Sequence, residues 1–145
     1  MIIISPYAKG LPNGKLSPKN YPYWQQLIPL IKDDVVQIGV NDEIALTKDF
    51  RKNLSLTELA ELVKECKTWI SCDSFFQHFC WDLAKPGVVL WGQSDPLIFG
   101  HPENRNLLKS RSYLFHNQFL SWDLIPVRHD CFVSPNAVIQ ALQDL

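Results

Sequence analysis

The sequence predicts an α/β fold built on a doubly wound parallel sheet, and three observations carry that prediction. Short β-branched runs alternate with stretches of helical apolar spacing, the links between them are short, and helix-opening residues directly follow strand ends. Ile2 to Ser5 opens the series: no polar residue alternates with its isoleucines, as in a strand buried on both faces, and Pro6 ends it. A turn-rich loop from Tyr7 to Asn20 follows, carrying Lys9, Lys15 and Lys19. From Tyr21 to Ile31, residues Tyr23, Trp24, Leu27, Ile28 and Ile31 recur at helical spacing. Pro22 suits a first turn, and Pro29 demands a kink or an early end.

Val35 to Val40 reads as the second strand, closed by a tight turn at Gly39 and followed by Asn41, Asp42 and Glu43. A second helix is expected from Leu56 to Cys66, with Leu56, Leu59, Ala60, Leu62 and Val63 inward. Ser55 and Glu58 form the capping-box pair at its start. Thr68 to Cys72 is the third strand, and Asp73 and Ser74 stand as caps for a third helix carrying Phe75, Phe76, Phe79, Cys80 and Leu83. Lys85-Pro86-Gly87 stops that helix, and Val88 to Trp91 makes a fourth strand. Beyond it the pattern weakens. Tyr113 to Phe115 is a candidate fifth strand, and Pro135 to Leu145 a closing helix opened by Ser134.

With 145 residues, the chain is long enough for one core and too short for two, so residues 1–145 are expected to form a single domain. Fourteen basic against fifteen acidic side chains leave no overall basic field, which argues against nucleic acid or an anionic membrane as partner. The opening apolar run is shorter than a signal-peptide core, and no stretch is long enough to span a bilayer, so a cytoplasmic protein is expected. Cys66, Cys72, Cys80 and Cys131 form no CxxC pair, and the first three, in apolar surroundings, read as buried free thiols. His101, His116 and His129 have no metal-site spacing. No metal or cofactor is expected. Trp24, Trp69, Trp81 and Trp91 fall within elements and read as packing residues.

Parallel sheets bind ligands beyond the carboxyl ends of their strands. The polar residues there are Ser5 to Lys9, Asn41 to Glu43, Asp73 to His78 and Gln93 to Asp95. Asp73 and Ser74 open a helix whose free N–H groups accept phosphate, with His78 one turn on; equally, they are ordinary caps and His78 a surface residue. Lys9, Lys15 and Lys19 reach a diphosphate as point charges, or are simply solvated. Glu43 accepts ribose hydroxyls, or is a loop carboxylate with no partner.

The order of these pieces resembles the donor nucleotide-sugar-binding, C-terminal half of heptosyltransferase-type GT-B glycosyltransferases. The resemblance rests on Leu56-Thr57-Glu58-Leu59-Ala60, on Asp73-Ser74-Phe75-Phe76-Gln77-His78, and on Lys85-Pro86-Gly87 through Gly92-Gln93-Ser94-Asp95-Pro96. Lys19-Asn20-Tyr21-Pro22-Tyr23-Trp24 looks like the family's opening of the first helix. The resemblance implies a Rossmann-like GT-B half-domain that takes a nucleoside diphosphate or its sugar and no metal. It implies Lys19 near the donor phosphates, Glu43 near the ribose, and Leu54 at the base. It sets Asp73 and Ser74 at the diphosphate and sugar, and His78 facing the sugar. It assigns no catalytic residue here, because the family's usual base lies on the other domain. Two departures stand out. Phe75 and Phe76 replace the motif's glycine and proline, and only the second of two GT-B domains has a counterpart. The apolar segment around Phe119, Leu120, Trp122, Leu124 and Ile125 would cover the cleft, within the chain or across a homodimer, or a separate acceptor-domain subunit would complete it. The alternatives are a non-catalytic binder of a nucleotide-like ligand or of a protein, and a fold reused for assembly.

Overall fold

The computed structural model describes residues 1–145. Six strands form one sheet: β1 (Ile2–Ser5), β2 (Val35–Gly39), β3 (Asp49–Lys52), β4 (Thr68–Cys72), β5 (Val88–Trp91) and β6 (Arg105–Leu108). Their order is β3-β2-β1-β4-β5-β6, with every pairing parallel. The four strands expected from sequence are the adjacent central ones. The chain winds outward from β1 toward β3, returns to β4 beside β1, and winds outward again toward β6. All carboxyl ends therefore share one edge, and the reversal point lies between β1 and β4.

Alternation along the strands divides the core. Ile2, Ile4, Ile70, Val88 and Leu90 face one side, where Trp24 and Leu27 of α1 (Trp24–Leu27) and Val138 and Ala141 of α5 (Pro135–Gln143) cover them. Ile3, Val36, Ile38, Trp69, Val89 and Trp91 face the other side. They are covered by Leu59, Leu62 and Val63 of α2 (Leu56–Glu65) and by Phe76 and Cys80 of α3 (Phe75–Asp82). Helices on both faces explain why the central strands read as uninterrupted apolar runs. All four cysteines are free and buried.

Several local expectations need correction. The candidate strand at Tyr113–Phe115 is not one, because Arg111–Tyr113 form a 3-10 turn capped by Ser110. The two outer strands are instead β3 and β6, whose Asp-Phe-Arg-Lys and Arg-Asn-Leu-Leu sequences carry the charge that protects an exposed edge and hides their period. The first helix keeps a single α turn before passing into a 3-10 turn at Ile28–Leu30, as Pro29 requires. Leu56 points outward on α2, and Trp81 is exposed on α3. The capping box of Ser55 and Glu58 is formed in both directions, and Ser134 caps α5. Short α4 (Pro96–Phe99) follows β5, capped by Asp95.

The segment after β6 has little regular structure and is held by two glutamines. Gln118 accepts from the Asp95 N–H at 2.9 Å and donates to the carbonyls of Gln93 and Phe115 at 2.9 and 2.8 Å. Gln93 donates to the Pro126 carbonyl at 2.8 Å, and its own carbonyl also accepts from the Phe115 N–H at 3.0 Å. These bonds fasten the segment over the carboxyl end of β5. No helix is long and apolar enough to cross a membrane.

Candidate functional site

Two adjoining cavities lie on the edge that collects the strand carboxyl ends. The larger, about 590 Å³, is walled by the loop after β1 (Ala8–Pro12 with Ser17 and Lys19), by the start of α3, and by Phe99 and Trp122. The smaller, about 260 Å³, lies beyond β2 and β3, lined by Tyr7, Glu43, Arg51, Asn53 and Leu54 among others. Lys9, Ser74 and Phe75 line both, so the two cavities meet at the first residues of α3. The sequence-predicted residues divide between them. Lys19, Asp73 and His78 stand at the larger, Glu43 and Leu54 at the smaller, and Ser74 at their junction.

Lys19 is the least exposed of the cations that line the cavities. Its ammonium lies 3.0 Å from Asp73 Oδ2, with side-chain exposures of 20% and 5%. It also sits 4.7 Å from the Trp122 ring centroid and 5.9 Å from that of Phe99. An aromatic wall attracts the cation while keeping it partly dry, which strengthens its field in the cavity. Behind it, Asn20 Oδ1 accepts from the Ala8 N–H at 2.8 Å and holds the loop in place. Lys9 lines the cavities, whereas Lys15 lies away from both and is exposed.

Neither Asp73 nor Ser74 caps α3 with its side chain. Asp73 Oδ1 instead accepts from Gln77 Nε2 at 2.8 Å, which points the carboxylate along the helix toward Lys19. Ser74 is the N-cap residue by backbone, yet its Oγ is buried and has no partner. A hydroxyl left free beside the open N–H groups of a helix start is suited to an anion's oxygens. Phe76, at the place of the family's proline, turns into the core and packs edge-on against Trp69 at 5.5 Å. Phe75, at the place of the glycine, remains 61% exposed at the junction.

In the smaller cavity the Glu43 carboxyl folds back against the end of β2, where Gly39 has no side chain to obstruct it. The Gly39 φ is not in the left-handed region; the glycine serves this close approach rather than a tight turn. Burial is the main influence on Glu43 and holds its carboxyl above the ordinary carboxylate range; the same burial, with Glu43 nearby, pushes the Tyr7 phenol up. Asn53 adopts a positive φ of 53°, donates its N–H to the Gly39 carbonyl at 2.8 Å and bonds Asn41 Oδ1 through Nδ2. Tyr7 falls in the rim stretch expected from Ser5 to Lys9, but Arg51 and Asn53 were not expected, because the strand that delivers them has no apolar run. The turn-prone Asn53 just before Leu54 was the available signal.

On the far side of the larger cavity, Asp95 takes a bidentate ion pair from Arg111, at 3.0 and 2.8 Å, and caps α4 through the Leu97 N–H. The Arg111 guanidinium holds the Asp95 carboxyl below the usual range. Asp95, expected among the rim residues, is thus committed to structure.

This geometry is similar to that of known proteins. The model of glycosyltransferase family 9 (heptosyltransferase) matches residues 50–118, just under half of the chain, from within β3 to Gln118. The likeness is to the heptosyltransferases. Lipopolysaccharide heptosyltransferase 1 of Salmonella typhimurium (strain LT2) is 29% identical over 119 residues, 71% of this chain and 38% of that protein. ADP-heptose lps heptosyltransferase II of E. coli superposes on 99% of this chain with a TM-score of 0.67 at 20% identity. The dodecameric iron-containing heptosyltransferase TibC, in complex with ADP-D-β-D-heptose, does so with a TM-score of 0.74 at 16% identity. The chain spans 45% and 44% of those two structures, so its Rossmann-like fold is that of about half of a GT-B heptosyltransferase. For an iron such as TibC's name carries, this chain brings no three His, Cys, Asp or Glu side chains together.

Proposed function

We propose that residues 1–145 form one nucleotide-sugar-binding domain of the heptosyltransferase donor type, with the nucleoside in the smaller cavity and the diphosphate and sugar in the larger. The observation that carries this reading is the junction: two cavities of unequal size meet at the unpartnered Ser74 hydroxyl and the open start of α3. A nucleoside diphosphate sugar has that shape, with its anionic centre between two less charged ends. Glu43 and Leu54 would then face ribose and base, Lys19 and Ser74 the diphosphate, and Asp73 and His78 the sugar. Asp73, an acceptor only, repels phosphate directly; its part is to hold Lys19 and to take sugar hydroxyls. The relatives whose names carry ADP-heptose make ADP-heptose the first ligand to test.

In a transferase the reaction would displace the nucleoside diphosphate from the anomeric carbon. Charge growing on the departing phosphate would meet Lys19 and the α3 N-terminus. Because the larger cavity is open to water on one side, a second copy or an acceptor-binding partner would complete it, working with this domain in the cytoplasm. The second reading, a binder that performs no chemistry, is favoured by Phe75, whose side chain stands where the family's glycine admits a phosphate to the backbone. Calorimetry with ADP and ADP-heptose tests both readings: binding of neither at millimolar concentration rejects the ligand class. Donor hydrolysis on adding an acceptor partner separates transferase from binder.

A further inference from the structure

We infer that His101 is a positioning residue for His78. Braced against Trp81, it donates its Nε2 proton to His78 Nδ1 and fixes His78 as the Nε2–H tautomer, a donor toward the sugar diphosphate in the larger cavity. The inference deepens the nucleotide-sugar reading and rests on it for the direction of the bond, because the contact fits either tautomer and a ligand of acceptor oxygens selects His101 as the donor.

His78 Nδ1 and His101 Nε2 are 2.7 Å apart, a hydrogen bond between two imidazoles. Neither nitrogen can be spared for anything else at that distance, so the ring nitrogen left to His78 for a ligand is Nε2. His78 lines the larger cavity and His101 does not, which makes the arrangement directional. His101 is held in turn: its ring stacks on Trp81 at 4.6 Å and 10°. Its backbone carbonyl accepts from Asn106 Nδ2 at 2.9 Å, and Asn106 Oδ1 accepts from Trp91 Nε1. The brace therefore runs from β5 and β6 to a side chain on α3. His78 and Trp81 are three residues apart on that helix, so one turn presents both the guided ring and the surface that steadies its guide.

A neutral imidazole has one N–H and one bare nitrogen, and the partner of one nitrogen decides the state of the other. Phosphate and glycosidic oxygens only accept. A His78 with its proton on Nδ1 would turn a lone pair toward them, whereas the pair with His101 as donor turns an N–H. Titratable groups around His78 come from each neighbouring element: Lys19 from the first loop, Asp73 from the β4–α3 turn, Asp82 from α3 itself, and His101. Burial and then His101 disfavour the imidazolium, with Lys19 acting the same way and Asp73 and Asp82 against it. The imidazolium is therefore disfavoured, and in the neutral ring a tautomer has to be chosen.

The test is long-range proton–nitrogen NMR of the histidine rings in the ligand-free chain at pH 8. Wild type should show His78 with a bare Nδ1 and a protonated Nε2, and His101→Ala should replace this with a mixture of tautomers. An Nδ1–H His78, or an unchanged ring pattern in His101→Ala, overturns the inference. With ADP-heptose, His101→Ala and His78→Ala should each weaken binding about three- to tenfold, the worth of one net hydrogen bond. The double variant should bind no more weakly than His78→Ala. His101→Gln, whose amide N–H can replace the donor, should restore most of the affinity. Additive losses, or no rescue by Gln, also overturn it. If wild type fails to bind ADP-heptose, the reading of the cavity fails, and the NMR result alone decides for or against the pair.

Discussion

The Lys19 ammonium lies 3.0 Å from Asp73 Oδ2 across the floor of the larger cavity, joining a loop after the first strand to the turn after the fourth. The pair spans the point where the sheet reverses its winding. Lys19→Ala should weaken ADP binding by about 1–3 kcal/mol, the scale of a charge-assisted hydrogen bond, as read by calorimetry. It should also cost about 2 kcal/mol of stability in denaturant unfolding, because Asp73 keeps only Gln77 as partner. Unchanged affinity would remove Lys19 from the binding site.

Phe75 gives a prediction of the opposite sign. Its side chain is exposed, so Phe75→Gly should cost only about 1 kcal/mol, the price of glycine in a helix. The same change clears the approach to the α3 backbone and should tighten ADP-heptose binding. Weaker binding in that variant would mean that the ring contacts the ligand.

Asp95 should govern part of the acid limb of the stability curve. Its carboxyl is depressed in the folded state by Arg111, so its contribution is present above the unfolded carboxylate range and is lost as pH falls through the folded value. Asp95→Asn should be less stable than wild type at pH 7, and the difference should close in acid. A gap that persists undiminished at pH 2 would show that the Asp95–Arg111 charge pair is not its source.

Association should depend on the apolar rim. Phe119, 81% exposed, meets Phe99 of the larger cavity's wall edge-on at 6.0 Å, and Leu97 on α4 is equally exposed. Light scattering over a concentration series should show a two-fold dimer that Phe119→Glu dissociates. A wild-type chain that stays monomeric throughout would leave the acceptor-binding partner as the one way to close the cleft.

The central strands and helices were legible because burial on both faces leaves unbroken apolar runs, and because Ser55, Glu58 and Ser134 are caps with local partners. That Asp73, Ser74 and His78 stand at the carboxyl edge of the sheet was legible for a related reason, since a helix that starts at a strand's carboxyl end is locally encoded, whereas the place of Lys19 rested on the resemblance. The outer strands were not, since edge protection replaces the apolar period with charge at Asp49, Arg51 and Arg105. Nor was the His78–His101 pair, which joins residues with no periodic relation in sequence. Leu56 and Phe75 show the converse error: helical spacing marked them as apolar members of their helices, and tertiary placement turned them out.

The two glutamines over β5 have a consequence for how the cavity opens. Gln118 and Gln93 lace the loop at Asp95, the chain at Phe115 and the stretch before Pro126 into one knot, and Trp122 lies inside the knotted span. The aromatic wall beside Lys19 is therefore not a flap that can peel away residue by residue. Its amides at Asp95 and Phe115 should exchange with solvent deuterium at a common rate, because each is freed only when the whole span lets go.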